Sequence, residues 1–411
     1  RFAPAWLARG GAVLTDLTDG DDPLVGQPAA AGAAVLLSAR PREALAALAS
    51  AWRAALPVAV AGVTGTNGKT TTKDLLAALL GGGGPTWATA GNFNNDLGLP
   101  VTLLGLRPEH RFAVIEMGAS AVGDIDRLAG LARPRVGVIT NASPAHLAEF
   151  GSLADIITGK GELLDHLPAD GLAVLNADSP GFEAWCARAR SPVATLGRTA
   201  GDHRWSWRTG AEGPVLTLDG ADWPVPLPGE HNGCNLAAAI LAARGLGLAD
   251  DDLRRGLGAF AASPHRGAVT TLAGRTVLDD AYNANPGSMV AAGRALLALP
   301  GGGAAVAVLG HMAELGPDAA TLHRETGAAL HEAGVPVLVA VGEQARPLGQ
   351  GFDAAGGTAH YCASVDEAAA WVLAHTAPGD RILVKGSRSA AMERILPLLA
   401  AAEPGDPSNG N

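Results

Sequence analysis

Apolar positions along the chain fall in short continuous runs separated by helix-length stretches, at 58–63, 112–115, 136–139 and 172–175. Continuous rather than alternating runs predict strands of a parallel sheet buried on both faces. The first run leads into a glycine loop and then a helical pattern over 70–80, stopped by glycines 81–84. From 203 to 225 the pattern changes to short alternating segments such as Val215-Leu216-Thr217-Leu218, which predict antiparallel hairpins appended to a sheet edge. Helices over 232–246 and 251–260 close this region, and Ser263-Pro264 is a natural break. Beyond it the alternation restarts, with strands expected at 276–278, 305–309, 337–341 and 382–384. The expected fold class is α/β: an N-terminal segment 1–57, a central domain 58–264 built on a mostly parallel sheet, a Rossmann-like α/β domain 265–402, and a disordered tail 403–411.

Composition narrows the class. A chain of 411 residues exceeds what one hydrophobic core supports, in keeping with several domains. No apolar run approaches the roughly 20 residues of a membrane helix, so no membrane partner is expected. A net charge of -10 disfavours nucleic acid as a partner. Cys186, Cys234 and Cys362 lack metal-site spacing and suit a reducing cytoplasm as small buried residues. No secretory signal is read at the start.

The chemistry begins at Thr64-Gly65-Thr66-Asn67-Gly68-Lys69-Thr70. Backbone amides of a glycine turn at a helix N-terminus converge on an anion, a lysine reaches the outer phosphates and a threonine hydroxyl meets magnesium. Lys69 and Thr70 fill those last two places. The strict motif wants glycine at position 63, where this chain has Val63. No Asn-Lys-x-Asp guanine motif follows, so ATP is expected rather than GTP. Glu116 ends the run 112–115, where the carboxyl ends of parallel strands form a binding crevice, and an acidic side chain there suits Mg²⁺.

The stretch from Gly65 to Thr72, with Asn67 in the loop and Thr71 after it, resembles the ATP loop of the Mur ligases. So do Gly91-Asn92-Phe93-Asn94-Asn95-Asp96, Glu116-Met117-Gly118, Asp280-Ala281-Tyr282-Asn283-Ala284-Asn285-Pro286 and Leu309-Gly310-His311-Met312. The resemblance runs from about residue 35 to 400 and points to the branch that adds a dipeptide to a peptide carboxylate. It implies an ATP-dependent carboxylate–amine ligase working through an acyl phosphate with two magnesium ions. Thr70 and Glu116 would serve one ion; Glu116, His146 and a CO₂-derived carbamate on Lys160 would serve the other. A carbamate is an anionic oxygen ligand, whereas an ammonium cannot ligate Mg²⁺. The resemblance further implies nucleotide contacts from Asn232, Asn235, Asp280, Tyr282 and Asn283, and an arginine, Arg266, that reaches the terminal phosphate on domain closure. Asn92, Asn94, Asn95, Lys385, Ser387 and Arg388 are the expected substrate contacts, the last three on a loop between the strand 382–384 and a helix from Ser389.

Two features depart from the family pattern. Only about 57 residues precede the ATP domain; of the uridine-binding domain, only its last strand and helix are recognisable, in 34–37 and 41–56. His311 stands where the family usually carries Asp. Two other readings follow: a paralogue that joins free amino acids or small peptides without UDP recognition, and a non-catalytic ATP-binding scaffold. Small-molecule or peptide substrates and a monomer or homodimer are expected.

Overall fold

A computed structural model describes residues 12–15, 34–143, 150–210 and 213–401. The expected tail at 403–411 lies outside them. Near the N-terminus, strands β1 (Ala12–Thr15) and β2 (Ala34–Leu37) pair in parallel and lead into helix α1 (Pro41–Ala54), the expected strand and helix plus one partner strand.

The first large sheet has nine strands in the order β11-β10-β9-β8-β7-β6-β3-β5-β4. Its parallel part comprises β3 (Ala59–Thr64), β4 (Thr86–Ala88), β5 (Phe112–Glu116), β6 (Val136–Ile139), β7 (Leu172–Asn176) and β8 (Val193–Gly197). The interiors of β3, β5, β6 and β7 are buried on both faces, as continuous apolar runs require. The hairpin strands β9 (His203–Gly210), β10 (Gly213–Leu218) and β11 (Ala221–Pro224) extend one edge, as the alternation predicts. The short strands β4 and β8 give too little periodicity to be read from sequence.

Around this sheet lie α2 (Lys69–Gly81), α3 (Gly98–Leu104), α4 (Asp124–Ala132), α5 (Leu153–Gly161), α6 (Phe182–Arg188), α7 (Glu230–Gly245) and α8 (Asp250–Leu257). Helix α7 is buried along its length by Leu236, Ile240 and a run of alanines. α2 and α8 approach so closely that a Cβ on Gly256 would collide with the carbonyl of Ala78.

The second sheet has six strands in the order β12-β13-β17-β14-β15-β16. They are β12 (Ala268–Leu272), β13 (Arg275–Asp280), β14 (Ala305–Leu309), β15 (Val337–Val341), β16 (Ala359–Cys362) and β17 (Arg381–Lys385), all parallel except β12. Helices α9 (Pro286–Ala298), α10 (Ala319–Glu332), α11 (Arg346–Ala354), α12 (Val365–His375) and α13 (Ile395–Ala400) cover it. The helix expected from Ser389 is replaced by two 3-10 turns, Arg388–Ala390 and Met392–Arg394, interrupted by Ala391 at φ 49. Each sheet has its own apolar layers on either face.

Candidate active site

A cleft of about 1160 Å³ opens between the two sheets, at the carboxyl ends of their parallel strands. On the first sheet its floor is the loop joining β3 to α2. Gly65 at φ 142 and Gly68 at φ 79 hold conformations that side chains rarely adopt. A Cβ would strike Thr140 Oγ1 at the first and Asn235 Oδ1 at the second. The loop is pinned to the end of β6: Thr66 N donates to Asn141 O (2.9 Å), Asn67 N to Asn141 Oδ1 (3.0 Å) and Thr140 Oγ1 to Asn67 O (2.6 Å). The first-turn amides of α2, from Lys69 to Thr71, have no acceptor within the helix and make this end attractive to an anion.

Lys69 Nζ donates to the loop carbonyls of Gly65 and Thr66, both at 2.9 Å, which keeps the ammonium beside the cleft. Burial pushes its pKa down; the nearby Glu116 carboxylate opposes that shift and the Arg266 charge adds to it. Lys69, Glu116 and Arg266 thus bring three charged groups to one cleft, close enough for the charges of the other two to act on the lysine.

Glu116 ends β5 and is 2 % exposed. Asn94 Nδ2 donates to its Oε1 at 2.8 Å, and Thr89 Oγ1 accepts from its backbone N at 3.0 Å. Its Oε2 is buried without a hydrogen-bond partner. An unsatisfied carboxylate oxygen across from Thr70, in the first turn of α2, fits a hard cation that also takes phosphate oxygens and water. Among the described residues no group of three His, Cys, Asp or Glu side chains forms a metal cluster. His146 lies outside the described residues. Lys160, in the last turn of α5, is 3 % exposed and does not line the cleft. Its Nζ sits 5.2 Å from the centre of the Phe150 ring. Burial and the Lys69 charge lower its pKa to about 7, against the pull of Asp124 and Glu162.

Asn232 and Asn235 share one face of α7, with Asn235 Nδ2 donating to Asn232 Oδ1 at 3.1 Å. Both are buried beside the loop.

The second sheet supplies the opposite wall. The Arg266 guanidinium lies 3.9 Å from the centre of the Tyr282 ring. Asp280, at the end of β13, pairs with Lys385 at the end of β17 (2.5 Å), and Lys385 Nζ also donates to Asn283 O (2.8 Å). Asn285 caps α9 by accepting from Ser288 N and donates from Nδ2 to Asn67 Oδ1 at 2.6 Å, a direct bridge from one sheet's domain to the other's phosphate loop. Asn92, Asn94, Asn95, Tyr282, Asn283 and Lys385 all line the cleft. Ser387 and Arg388 do not: Ser387 Oγ donates to His311 O (2.9 Å), and Arg388 turns outward to Glu393 (2.7 Å). His311 meets Ser389 Oγ at 2.9 Å.

Sequence reading passed over several lining residues. Asp178 and Arg198 stand just beyond the ends of β7 and β8, and Trp205 and Trp207 lie within β9. Only the sheet order, in which β7, β8 and β9 follow one another outward from β6, brings them to the cleft.

The Mur ligase middle domain matches residues 63–243, and the Mur ligase glutamate ligase domain matches 265–388. The UDP-N-acetylmuramoyl-tripeptide–D-alanyl-D-alanine ligase of Escherichia coli is 37% identical over 396 residues, covering 90% of this chain and 86% of its own length. Its Bacillus subtilis counterpart is 36% identical over 373 residues, covering 88% and 80%. Among solved structures, MurF from Acinetobacter baumannii superposes with a TM-score of 0.85 at 31% identity, over 95% of this chain and 90% of that one. The MurF ligase of Thermotoga maritima, solved with ADP, gives 0.80 at 25% identity, over 95% and 88%.

Proposed function

The chain belongs to the Mur ligase family, and from that premise we propose that it couples ATP to the joining of D-alanyl-D-alanine to the terminal carboxylate of a UDP-linked muramoyl tripeptide. It is an ATP-dependent amide-bond-forming enzyme. The observation that carries the reading is the meeting of the loop lysine, the Glu116 carboxylate with one unpartnered oxygen, and Arg266 from the other sheet in a single cleft.

In the proposed course a substrate carboxylate oxygen attacks the γ-phosphorus of ATP and ADP leaves. The acyl phosphate is then attacked at carbon by the dipeptide amine, and inorganic phosphate departs with the carbonyl reformed. Lys69 leaves its loop carbonyls for the phosphate oxygens, and Arg266 adds charge from the facing wall. The first-turn amides of α2 orient the phosphates. Thr70 and Glu116 would hold magnesium, which when bound would offset the negative charge of the phosphates. Asn94 fixes the orientation of Glu116, and walls from both sheets exclude the water that would hydrolyse the intermediate.

Lys160 is read as the lysine that takes up CO₂. Carbamate formation needs the neutral amine, and a pKa of about 7 leaves a large fraction of it unprotonated at neutral pH. Asn232, Asn235, Asp280, Tyr282 and Asn283 hold the nucleoside, and Asn92, Asn95 and Lys385 face the peptide substrates. Ser387, Arg388 and His311 act behind Lys385, shaping the loop after β17. Neither the paralogue nor the scaffold reading is favoured, because relatives that match nine-tenths of the chain carry the tripeptide ligase name.

The test is phosphate release from ATP and Mg²⁺ with UDP-N-acetylmuramoyl tripeptide plus D-alanyl-D-alanine. Release that needs both substrates is expected. Turnover only with free amino acids would overturn the assignment.

A further inference from the structure

Arg266 does not reach the cleft from a regular element; it sits in the connection between α8 and β12, where the chain passes from one sheet to the other. Two carboxylates, half-buried Asp74 and buried Asp279, hold that connection just before it. Three residues before, Ser263 Oγ donates to Asp74 Oδ2 at 2.6 Å. Asp74 lies on α2, one turn beyond Lys69, and its other oxygen pairs with buried Lys73 at 2.5 Å. Lys73 Nζ in turn donates to Thr89 O at 2.9 Å, and the Thr89 hydroxyl accepts from the backbone of Glu116. The first anchor is thus continuous with the phosphate-loop helix and the Glu116 strand.

The second anchor lies one residue before the arginine. His265 Nδ1 meets Asp279 Oδ2 at 2.8 Å, and Asp279, on β13, is 7 % exposed. His265 has φ 61, a left-handed conformation that a side chain of its kind adopts only when its surroundings hold it there. Its carbonyl accepts from Tyr282 N at 3.1 Å, and Gly267 N donates to Asp279 O at 2.8 Å. The turn is therefore fastened to the strand whose end also carries Tyr282, the ring under the guanidinium. An arginine side chain has about four rotatable bonds, so a fixed backbone direction and a ring beneath it decide where its charge points.

We propose that Ser263 with Asp74, and His265 with Asp279, are positioning pairs that lock the interdomain crossing and aim Arg266 at the nucleotide. This rests on the reading of Arg266 as a phosphate-directed charge. Ser263 and His265 touch no substrate in this scheme. Their work is to make the direction of Arg266 depend at once on α2 and on β13, so that the arginine is aligned only when both domains are in register.

The experiment is steady-state turnover of the full chain with ATP, Mg²⁺, UDP-N-acetylmuramoyl tripeptide and D-alanyl-D-alanine, with MgADP binding measured alongside. Ser263→Ala and His265→Ala should each lower kcat by about tenfold, the scale of one hydrogen bond to a charged group, and leave MgADP affinity within about twofold. Ser263→Thr keeps the hydroxyl and His265→Asn keeps a residue tolerant of φ 61; both should recover most of the loss. In a cycle with Arg266→Ala, the added substitution Ser263→Ala should cost nothing further. Full kcat in Ser263→Ala and His265→Ala, with Arg266→Ala impaired, overturns the positioning role alone. Full kcat in Arg266→Ala overturns both the role of the arginine and the pairs that aim it. A loss in Ser263→Ala that adds to that of Arg266→Ala, or that Ser263→Thr fails to recover, also overturns the proposal.

Discussion

Beneath the ring of Phe150 the amine of Lys160 gives up its proton near pH 7, whereas in an unfolded chain it would hold it to about 10.5. Between those two values unfolding takes up a proton. Stability therefore rises with pH across that window, and the full burden of the buried charge is felt below it. Lys160→Met should raise the melting temperature in CO₂-free buffer at pH 7, with a gain on the order of a few kcal/mol that shrinks toward pH 10.5. The same variant should lose most of its turnover. Thermal scans over that pH range, paired with phosphate release, check both. At Glu116 the removable support is Asn94: Asn94→Ala should raise the half-saturating magnesium concentration by about tenfold, read from turnover against Mg²⁺. Single residues were partly legible in the sequence. Lys69, Thr70 and Glu116 follow from a loop and a strand end, because local order alone sets where they stand. The pairing of Asp280 with Lys385 was not, since it joins the ends of two strands far apart in the chain.

At the scale of elements, apolar runs found most strands of both parallel sheets, and alternation found the hairpins. The parallel strands were legible because burial on both faces leaves them no polar positions. The antiparallel β12 was missed because its middle residues, Val269 to Thr271, are exposed and two of the three are threonines, and the helix expected from Ser389 is broken by Ala391. Glycines carry a second kind of information, the closeness of two backbones. Gly256→Ala would force α8 away from the carbonyls of Ala78 and Leu79 on α2, and it should cost about 1–3 kcal/mol in chemical denaturation. Gly68→Ala should act differently. Its Cβ would collide with Asn235 and its φ suits glycine, so nucleotide binding should be lost while the melting temperature changes little; ADP titration of the folded variant checks this.

At the scale of the molecule the cleft depends on how two sheets face one another, and no periodicity encodes that. Arg266 and Asn283 line the cleft from the second sheet's side, which the sequence could suggest only through its likeness to a family, and Asn285 bonds to the phosphate loop. The bridge from Asn285 to Asn67 is a direct measure of closure. Asn285→Asp retains the acceptor that caps α9 and loses the donor to Asn67. Its melting temperature should stay within about 2 °C, while KM for ATP rises about threefold to tenfold, the scale of one hydrogen bond.

The separate apolar layers of the two sheets carry a consequence for how this scaffold diversifies. Phosphate chemistry is lodged in one packed body and most of the facing wall in another, joined by a short crossing. The second body can exchange its loops, or be replaced whole, without disturbing the interior of the first. An ancestral activating module of this kind could acquire new amine acceptors by recombination at a single junction, provided the incoming partner kept the crossing and its arginine.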